Sequence, residues 1–271
     1  MGDQEPMLPI SENLFFKRSD SPGEGKTRGM AKGLILCDHK NEFAGECAGF
    51  GLPVFKTDNL TMFPSLFSST WQAPGVIDHV YRLNLVDTWS ISGRQAPTYF
   101  SVCMEKIVDF YMKRPYIQQP GLKMKQRLFK RFQILSRMKP GMSVGACRVR
   151  YQACDHRLTI RVDASALPHL GNLILLNEVP GTLFSTLISD GKIKRGDDFL
   201  PWQTCSMETT IETPDSHMGF SLSFPVTDAP KECQIAAGRE VGRNLNWSGL
   251  SITTKERVFT YHVNVFDQIG P

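Results

Sequence analysis

The chain has 271 residues, a formal net charge of +4 and a hydrophobic content of 41%. This composition is typical of a folded globular protein and excludes a largely disordered chain, and so small a net charge does not by itself indicate nucleic-acid binding. No apolar run approaches the roughly 18 residues of a transmembrane helix and polar residues follow Met1, so we expect no membrane span, no export signal and a cytoplasmic protein.

The cysteines and histidines do not form a recognisable chemical motif. Seven cysteines occur without a C-x-x-C pair, and the six histidines are scattered. An odd number of cysteines without regular spacing argues against a disulfide framework and against a structural zinc site. No strong enzyme signature such as G-x-S-x-G, H-E-x-x-H or a Walker loop is present. We therefore expect reduced thiols, no metal and no cofactor, and the sequence leaves open whether the protein is an enzyme.

The chain divides into a polar start and a long β-like remainder. Residues 1–30 are rich in glycine, aspartate, proline and serine, which predicts a loosely ordered arm that packs only through the apolar stretch 14–16. Residues 31–271 show short alternating stretches between glycine and proline turns, which predicts a single all-β domain. The predicted fold is mainly β, either a large antiparallel β-sandwich or a closed calycin-like barrel, with an inserted helical hairpin at about 101–140.

Residues 77–92 alternate between apolar and polar side chains and predict a long strand. His79 and Asp87 fall on its apolar face, where an ionisable group must be paired or must have a shifted pKa. Asp87 is therefore a paired acid, an acid turned outward by a bulge, or a catalytic acid in a cleft. Trp89 lies two residues further along the same face and is a candidate for stacking on a ligand.

The apolar period changes from two to about 3.6 between residues 101 and 140, which predicts two helices that end at Pro115 and Pro140. The predicted apolar face of the second helix consists of Met124, Leu128, Phe132 and Leu135. Eleven lysines and arginines and no acidic residue lie between Lys113 and Arg150. The basic helix 113–139 is either a solvated outer face or a surface that docks on an acidic partner, a membrane surface or RNA. In the docking interpretation, Lys123, Lys130 and Arg137 make the contacts.

Residues 144–163 alternate on both sides of a short polar break and predict a β-hairpin with Asp155 and His156 as its turn. The predicted apolar cross-strand pairs are Ala153 with Leu158, Tyr151 with Ile160, and Val149 with Val162. The other face carries Arg148, Arg150 and Arg161, with Arg150 opposite Arg161. Like charges in this position are unfavourable, so this face has an acidic neighbour, an anionic ligand or only water around it.

Residues 173–178 form a nearly continuous apolar run that ends at Glu178 and predicts a central strand. An acid at the end of such a strand is well placed to enter a cleft. If Asp87 and Glu178 face one cleft within about 5–10 Å of each other, they form an acid–base pair of the kind that glycoside hydrolysis uses.

The last part of the chain predicts two more hairpins and a polar cluster. The hairpins are at 206–226 and 249–266, the second with Leu250 opposite Tyr261. Residues 236–249 combine hydrogen-bonding side chains with an indole, which is the combination that sugars bind. The candidate ligand contacts there are Arg239, Glu240, Asn246 and Trp247, together with Trp202.

Two functions follow from these patterns. The first is a β protein that binds a polar, carbohydrate-like or carboxylated small molecule in a cleft, with possible acid–base chemistry. The alternative is an interaction module that docks through the basic helix 113–139. A carrier of apolar ligands is a third class, against which Asp87 and His79 on an apolar face count. The sequence does not define the oligomeric state.

Overall fold

The computed structural model describes residues 7–19, 29–39, 41–43, 47–58, 60–73, 75–97, 99–100, 103–104, 106–107, 110, 124, 127–199, 202–242 and 245–267. Its strands are β1 Met7–Pro9, β2 Leu14–Arg18, β3 Leu34–Asp38, β4 Phe50–Lys56, β5 Thr61–Ala73, β6 Val76–Ile91, β7 Arg94–Gln95, β8 Ile134–Cys154, β9 Arg157–Asp163, β10 Asn172–Val179, β11 Thr186–Ser189, β12 Lys192–Arg195, β13 Gln203–Thr204, β14 Thr210–Glu212, β15 Met218–Ser223, β16 Cys233–Gly242, β17 Leu245–Thr254 and β18 Val258–Asp267. A short 3-10 helix follows β12 at Gly196–Asp198.

These strands form one antiparallel sheet that folds over on itself around an apolar core. Hydrogen bonds join β11, β14, β15, β18, β9, β8, β6, β5, β4, β10, β17, β16 and β13 in that order. Strands that are far apart in this order meet across the core. For example, the ring centroids of Phe50 in β4 and Phe220 in β15 are 5.1 Å apart. The prediction of a mainly β, large antiparallel sandwich-type fold is confirmed.

The hairpin of β8 and β9 has the predicted register. Val149 pairs with Val162, Tyr151 with Ile160, and Arg150 with Arg161. Asp155 and His156 both have positive φ, 42° and 58°, as a type I′ turn requires. The long strand predicted at residues 77–92 is β6.

The hairpin predicted at 249–266 is not formed, although both of its strands are. β17 pairs with β10 and β16, whereas β18 pairs with β9 and β15 in the opposite layer. Leu250 and Tyr261 both face the common core, but from opposite sides of it. Alternation defines which face of a strand is buried and does not define its neighbour, so both arrangements fit the same pattern.

The hairpin predicted at 206–226 exists with a shifted register. Ile211 of β14 pairs with Phe220 of β15 instead of Met218. A shift of two residues leaves the apolar side chains on the same face, so the pattern did not distinguish the two registers.

The prediction of a loosely ordered arm at 1–30 does not hold for β1 and β2. β1 pairs with β2 and β2 pairs with β3, while Leu14 and Phe16 are buried in the main core. The apolar stretch 14–16 therefore packs as expected, and it brings its neighbours into the sheet. The division of the chain into an arm and one domain stays a prediction.

The inserted helical hairpin predicted at about 101–140 is not shown, because only part of that range lies among the described residues. The described residues 99–100, 103–104, 106–107, 110, 124 and 127–131 are helical, but residues 134–140 are strand and extend β8 as far as Ile134, which pairs with Ile91. The expected apolar face of the second helix is exposed, with Met124 at 49%, Leu128 at 42% and Phe132 at 48%. Lys123 and the basic residues 113–114 lie outside the described residues. In the part of the chain that the structure describes, no helix is both long and apolar enough to cross a membrane.

Candidate functional site

Three neighbouring strands, β10, β17 and β16, present one face away from the main core. In these strands Glu178 pairs with Gly249, Gly249 pairs with Gly238, and Trp247 pairs with Glu240. Cross-strand partners share a face, so Glu178, Trp247 and Glu240 lie on the same side of the sheet. The neighbouring residues Asn177 and Leu250 point to the other side, into the core.

Trp202 and Trp247, which we call the tryptophan pair, stack on this face with ring centroids 4.7 Å apart and an interplanar angle of 20°. A Cβ atom on Gly238 would lie 2.8 Å from the Trp247 ring and 2.5 Å from the Trp202 backbone nitrogen, so the stack requires glycine beneath it. Trp202 has a φ of 43°, an unusual conformation for a bulky residue. Trp247 is 6% exposed, whereas Trp202 is half-buried.

Glu178 is a buried carboxyl group on the same face. Its Oε2 accepts a hydrogen bond of 2.7 Å from the backbone N–H of Ala48. Burial raises the pKa of Glu178 from 4.5 to about 7, the Ala48 hydrogen bond opposes this shift, and the charge of Glu240 adds to it. The pKa of this carboxyl group therefore lies near neutral pH, as is typical of a general acid or base.

Cys47 lies beside Glu178 and is an inert neighbour. Burial, and then the charge of Glu178, raise the pKa of the Cys47 thiol from 9.0 to about 12. A thiol needs to be deprotonated to act as a nucleophile, and this one stays protonated at neutral pH.

Arg239 and Asn246 hold a turn of the backbone. The Nε of Arg239 donates a hydrogen bond of 2.9 Å to the Gly181 carbonyl. The side chain of Asn246 accepts from the Thr182 N–H at 2.9 Å and donates to the Thr182 hydroxyl at 3.1 Å. Both residues are therefore engaged in positioning residues 181–182, beside the tryptophan pair.

Asp87 lies far from Glu178. A row of paired residues, Leu173, Phe55, Met62 and Val86, crosses the sheet from β10 to β6. Asp87 is one residue beyond this row in β6, and Glu178 is five residues beyond it in β10, in the opposite direction. Strand geometry of about 3.3 Å per residue places the two carboxyl groups roughly 20 Å apart along the strands alone. The predicted acid–base pair is not formed.

Trp89 packs against protein side chains. It is 8% exposed, and its ring lies 5.4 Å from Phe129 and 6.4 Å from Phe100, edge to face in both cases. With Ala96 and Met104 it forms a small second core beneath the helical insert. Stacking of a ligand on Trp89 would require these contacts to open.

The chain itself supplies acidic neighbours to the arginine face of β8 and β9. Arg150 binds the buried Asp78 with both ends of its guanidinium group, Nε to Oδ1 at 2.9 Å and Nη2 to Oδ2 at 3.0 Å. This contact raises the pKa of Arg150. Arg148 lies opposite Asp163, and both Arg148 and Arg161 contribute to the lowered pKa of Asp163, whose main cause is the Ser165 hydroxyl group. Of the alternatives for this face, the acidic neighbour is the one observed.

A polar network in the core was not predicted. The hydroxyl groups of Tyr81 and Tyr151 are 2.9 Å apart, and Tyr151 also donates to the Gly51 carbonyl at 3.3 Å. Across the core, Tyr261 donates to the Asn177 side chain at 3.0 Å. The available signal was the presence of tyrosine on the apolar face of β6, β8 and β18, since a buried tyrosine hydroxyl group needs a partner.

The structure shows no cluster of metal ligands in the residues that it describes: no three or more His, Cys, Asp or Glu side chains come together in a way that could hold an ion. None of the seven cysteines, all of which lie among the described residues, forms a disulfide bond.

No protein-family model matches the chain, and no curated protein matches it. Five solved chains match in structure. One of them is an alpha-mannosidase from Enterococcus faecalis V583, with 10% sequence identity and a TM-score of 0.39. The match covers 98% of this chain and 30% of the alpha-mannosidase, so this chain spans less than a third of that protein's length. A likeness at this TM-score carries no argument about function.

Proposed function

We propose that this protein binds a neutral, carbohydrate-like molecule on the tryptophan pair. The observation that carries the proposal is the half-buried Trp202, which is stacked on Trp247 and has an unusual backbone conformation. Unusual backbone conformations persist where the surrounding structure imposes them and are concentrated at functional sites. An indole face combines a large apolar area with little loss of side-chain entropy on binding.

Polar groups near the tryptophan pair match a molecule that carries hydroxyl groups. Glu240 is the cross-strand partner of Trp247 and is half-buried, so its carboxylate lies within reach of a ligand on the pair. A carboxylate accepts hydrogen bonds from the hydroxyl groups of such a molecule.

The charges around the pair favour a neutral ligand over a carboxylated one. Glu178 and Glu240 lie on the same face, and a ligand carboxylate would meet like charge there. The arginines expected to bind a carboxylate are on β8 and β9, where Arg150 already holds Asp78. The proposed activity is binding, because Asp87 and Glu178, the acid–base pair predicted for glycoside hydrolysis, lie roughly 20 Å apart along the strands.

Binding is tested by calorimetric titration of the protein with neutral sugars and with sugar acids, for the wild type and two variants of Trp202. Trp202→Ala removes the stacking surface and is expected to weaken binding about tenfold or more, because an aromatic contact contributes about 1 kcal/mol beyond its area. Trp202→Phe keeps a ring in place and is expected to retain most of the affinity.

Trp89→Phe is the matched control, because it replaces an indole that lies in the separate small core. Sugar binding that is unchanged in Trp202→Ala, or that is lost equally in Trp89→Phe, would contradict the proposal. Tighter binding of sugar acids than of neutral sugars would contradict the choice of ligand class.

A further inference from the structure

The helical insert exposes apolar side chains next to basic ones. We use the name insert face for Met124, Leu128 and Phe132 together with Arg127 and Arg131. Each of these three apolar side chains has 42% to 49% of its surface exposed. Arg127, Lys130 and Arg131 are exposed as well, and the guanidinium carbon of Arg131 lies 5.8 Å from the centre of the Phe132 ring.

Helix geometry explains why the two kinds of side chain lie together. At about 3.6 residues per turn, Leu128 lies one turn beyond Met124, and Arg127 and Arg131 flank them on the same side. Phe129 lies on the other side and packs on Trp89 at 5.4 Å. The insert therefore uses Phe129 to attach to the sheet and directs the insert face away from it.

We propose that the insert face docks on the surface of a membrane that contains anionic lipids. Exposed apolar side chains with a polar rim are typical of protein or membrane interaction surfaces. An interfacial helix combines apolar residues that enter the lipid with lysine and arginine that attract its headgroups. Both components are present, and the sequence from Lys113 to Arg150 contains no acidic residue that would repel an anionic surface.

The same features make other occupants less suitable. A second copy of this chain would bring a surface with the same excess of positive charge against the first, which is unfavourable. Single-stranded RNA binds by stacking its bases on aromatic rings, whereas Met124 and Leu128 are aliphatic. Aliphatic side chains gain free energy by entering the acyl-chain boundary of a lipid layer. The proposal is independent of ligand binding at the tryptophan pair, which lies on other strands.

The test is flotation of the full-length protein with lipid vesicles. Vesicles of phosphatidylcholine alone are compared with vesicles that also contain phosphatidylserine, at low and at high salt. The expected result is binding to the phosphatidylserine vesicles that decreases with salt, and little binding to phosphatidylcholine. Equal binding to both kinds of vesicle, or binding to neither, would overturn the proposal.

Variants separate the apolar and basic contributions. Met124→Ser with Leu128→Ser removes apolar area, and Arg127→Glu with Arg131→Glu reverses charge; each pair is expected to reduce vesicle binding about tenfold or more. Lys192→Glu and Ile193→Ser are matched controls, because both residues are exposed on β12 at an edge of the sheet. Controls that lose as much binding as the insert variants would contradict the assignment to the insert face.

A fluorescence measurement keeps the proposal testable if binding is weak. Leu128→Trp places an indole on the insert face, and insertion into lipid is expected to shift its emission to the blue and to protect it from a soluble quencher. The same shift with RNA or with an acidic protein, and none with phosphatidylserine vesicles, would contradict membrane binding and identify that partner instead.

Discussion

Glu178 and His79 are buried ionisable side chains that oppose each other in the dependence of stability on pH. Burial raises the pKa of Glu178 from 4.5 to about 7, so its contribution to stability is complete below pH 4.5 and is lost as the pH rises to 7. Burial, with a smaller effect of Arg18, lowers the pKa of His79 from 6.5 to about 4. The contribution of His79 is therefore complete above pH 6.5 and is lost as the pH falls to 4. Between pH 4.5 and 6.5 the two effects cancel.

Glu178→Gln is expected to be more stable than the wild type at neutral pH. The amide keeps an acceptor for the Ala48 N–H but carries no charge that burial penalises. The gain in the free energy of unfolding should grow between pH 4.5 and 7 by about 1.4 kcal/mol per pH unit. Urea unfolding across this range measures it. Glu208→Gln, at an exposed position, is the control. A difference that does not change with pH would contradict the assignment.

His79→Asn is expected to show the opposite pH dependence. The asparagine side chain occupies the position of the ring Nδ1, which lies 2.8 Å from the Tyr81 hydroxyl group, but it does not titrate. The variant is less stable than the wild type because the smaller side chain packs less well at every pH. This difference should shrink as the pH falls from 6.5 to 4, because only the wild type loses the contribution of His79 there. Urea unfolding at several pH values detects this slope. His169→Asn, at an exposed position, should leave the slope unchanged.

The sequence predicted the burial of His79 correctly and that of Asp87 only in part. An ionisable residue on an apolar face was the signal for both His79 and Asp87, and His79 is fully buried. Asp87 is only half-buried, because it lies between the main core and the small core beneath the insert. Periodicity assigns a residue to a face and does not show where along the strand the core ends.

At the scale of elements, Asn177 connects three strands through its side chain. Its Oδ1 accepts hydrogen bonds from the Gly51 N–H of β4 at 3.1 Å and from the Tyr261 hydroxyl group of β18 at 3.0 Å. β18 belongs to the opposite layer, so this contact fixes the two layers relative to each other. A buried polar network that is fully paired stabilises a single arrangement of the core.

Asn177→Leu is expected to be more destabilising than Tyr261→Phe. The leucine leaves two buried donors, the Gly51 N–H and the Tyr261 hydroxyl group, without their acceptor, which costs about 1–3 kcal/mol for each. Tyr261→Phe leaves Asn177 with Gly51 as a partner and should cost about 1 kcal/mol. The double variant should cost less than the sum, because phenylalanine removes one of the orphaned donors. Chemical unfolding of all four proteins measures this cycle, and strict additivity would contradict it.

A hairpin was predictable from the sequence where a tight turn joins its two strands. The register of β8 and β9 follows from alternation plus a turn at Asp155 and His156, and it is confirmed. The predicted pairing of β17 with β18 was wrong, although only residues 255–257 connect these two strands. Their true neighbours are distant in sequence, and a single strand pattern contains no information about them.

At the scale of the whole molecule, the proposed site was predictable in its components only. Trp202, Glu240 and Trp247 were named as candidates from composition. Their assembly depends on Gly238, whose missing side chain makes room for the Trp247 ring and the Trp202 backbone. Asp87, Trp89 and the arginines of β8 and β9 shared the same residue chemistry, but the folded sheet places them in other regions. Chemistry selects candidates, and only the long-range strand order decides which of them meet.

Among the described residues, two buried apolar clusters of unequal size lie along the ladder of β6 and β8. The ladder is interrupted where Leu83 pairs with Gly145 and Leu85 pairs with Pro140, so that additional residues of β8 bulge out. Before the bulge, Tyr81 and its neighbours belong to the main core. Beyond it, Trp89 belongs to the small core with Ala96 and Met104. A small satellite core supports less stability than the main one, so local opening should begin there.

Trp89→Ala is therefore expected to destabilise one end of the ladder selectively. Loss of a large buried aromatic side chain costs about 3–5 kcal/mol, and here the cost falls on the small core. Hydrogen exchange should accelerate in residues 87–91 and 134–138, while residues 77–83 keep their protection. Val149→Ala, in the main core, is the control and should weaken protection in both regions because it lowers the global stability. Equal loss of protection in both regions for Trp89→Ala would show that the ladder opens as one unit. Selective loss would mean that the helical insert can detach from the sheet while the tryptophan pair stays in place.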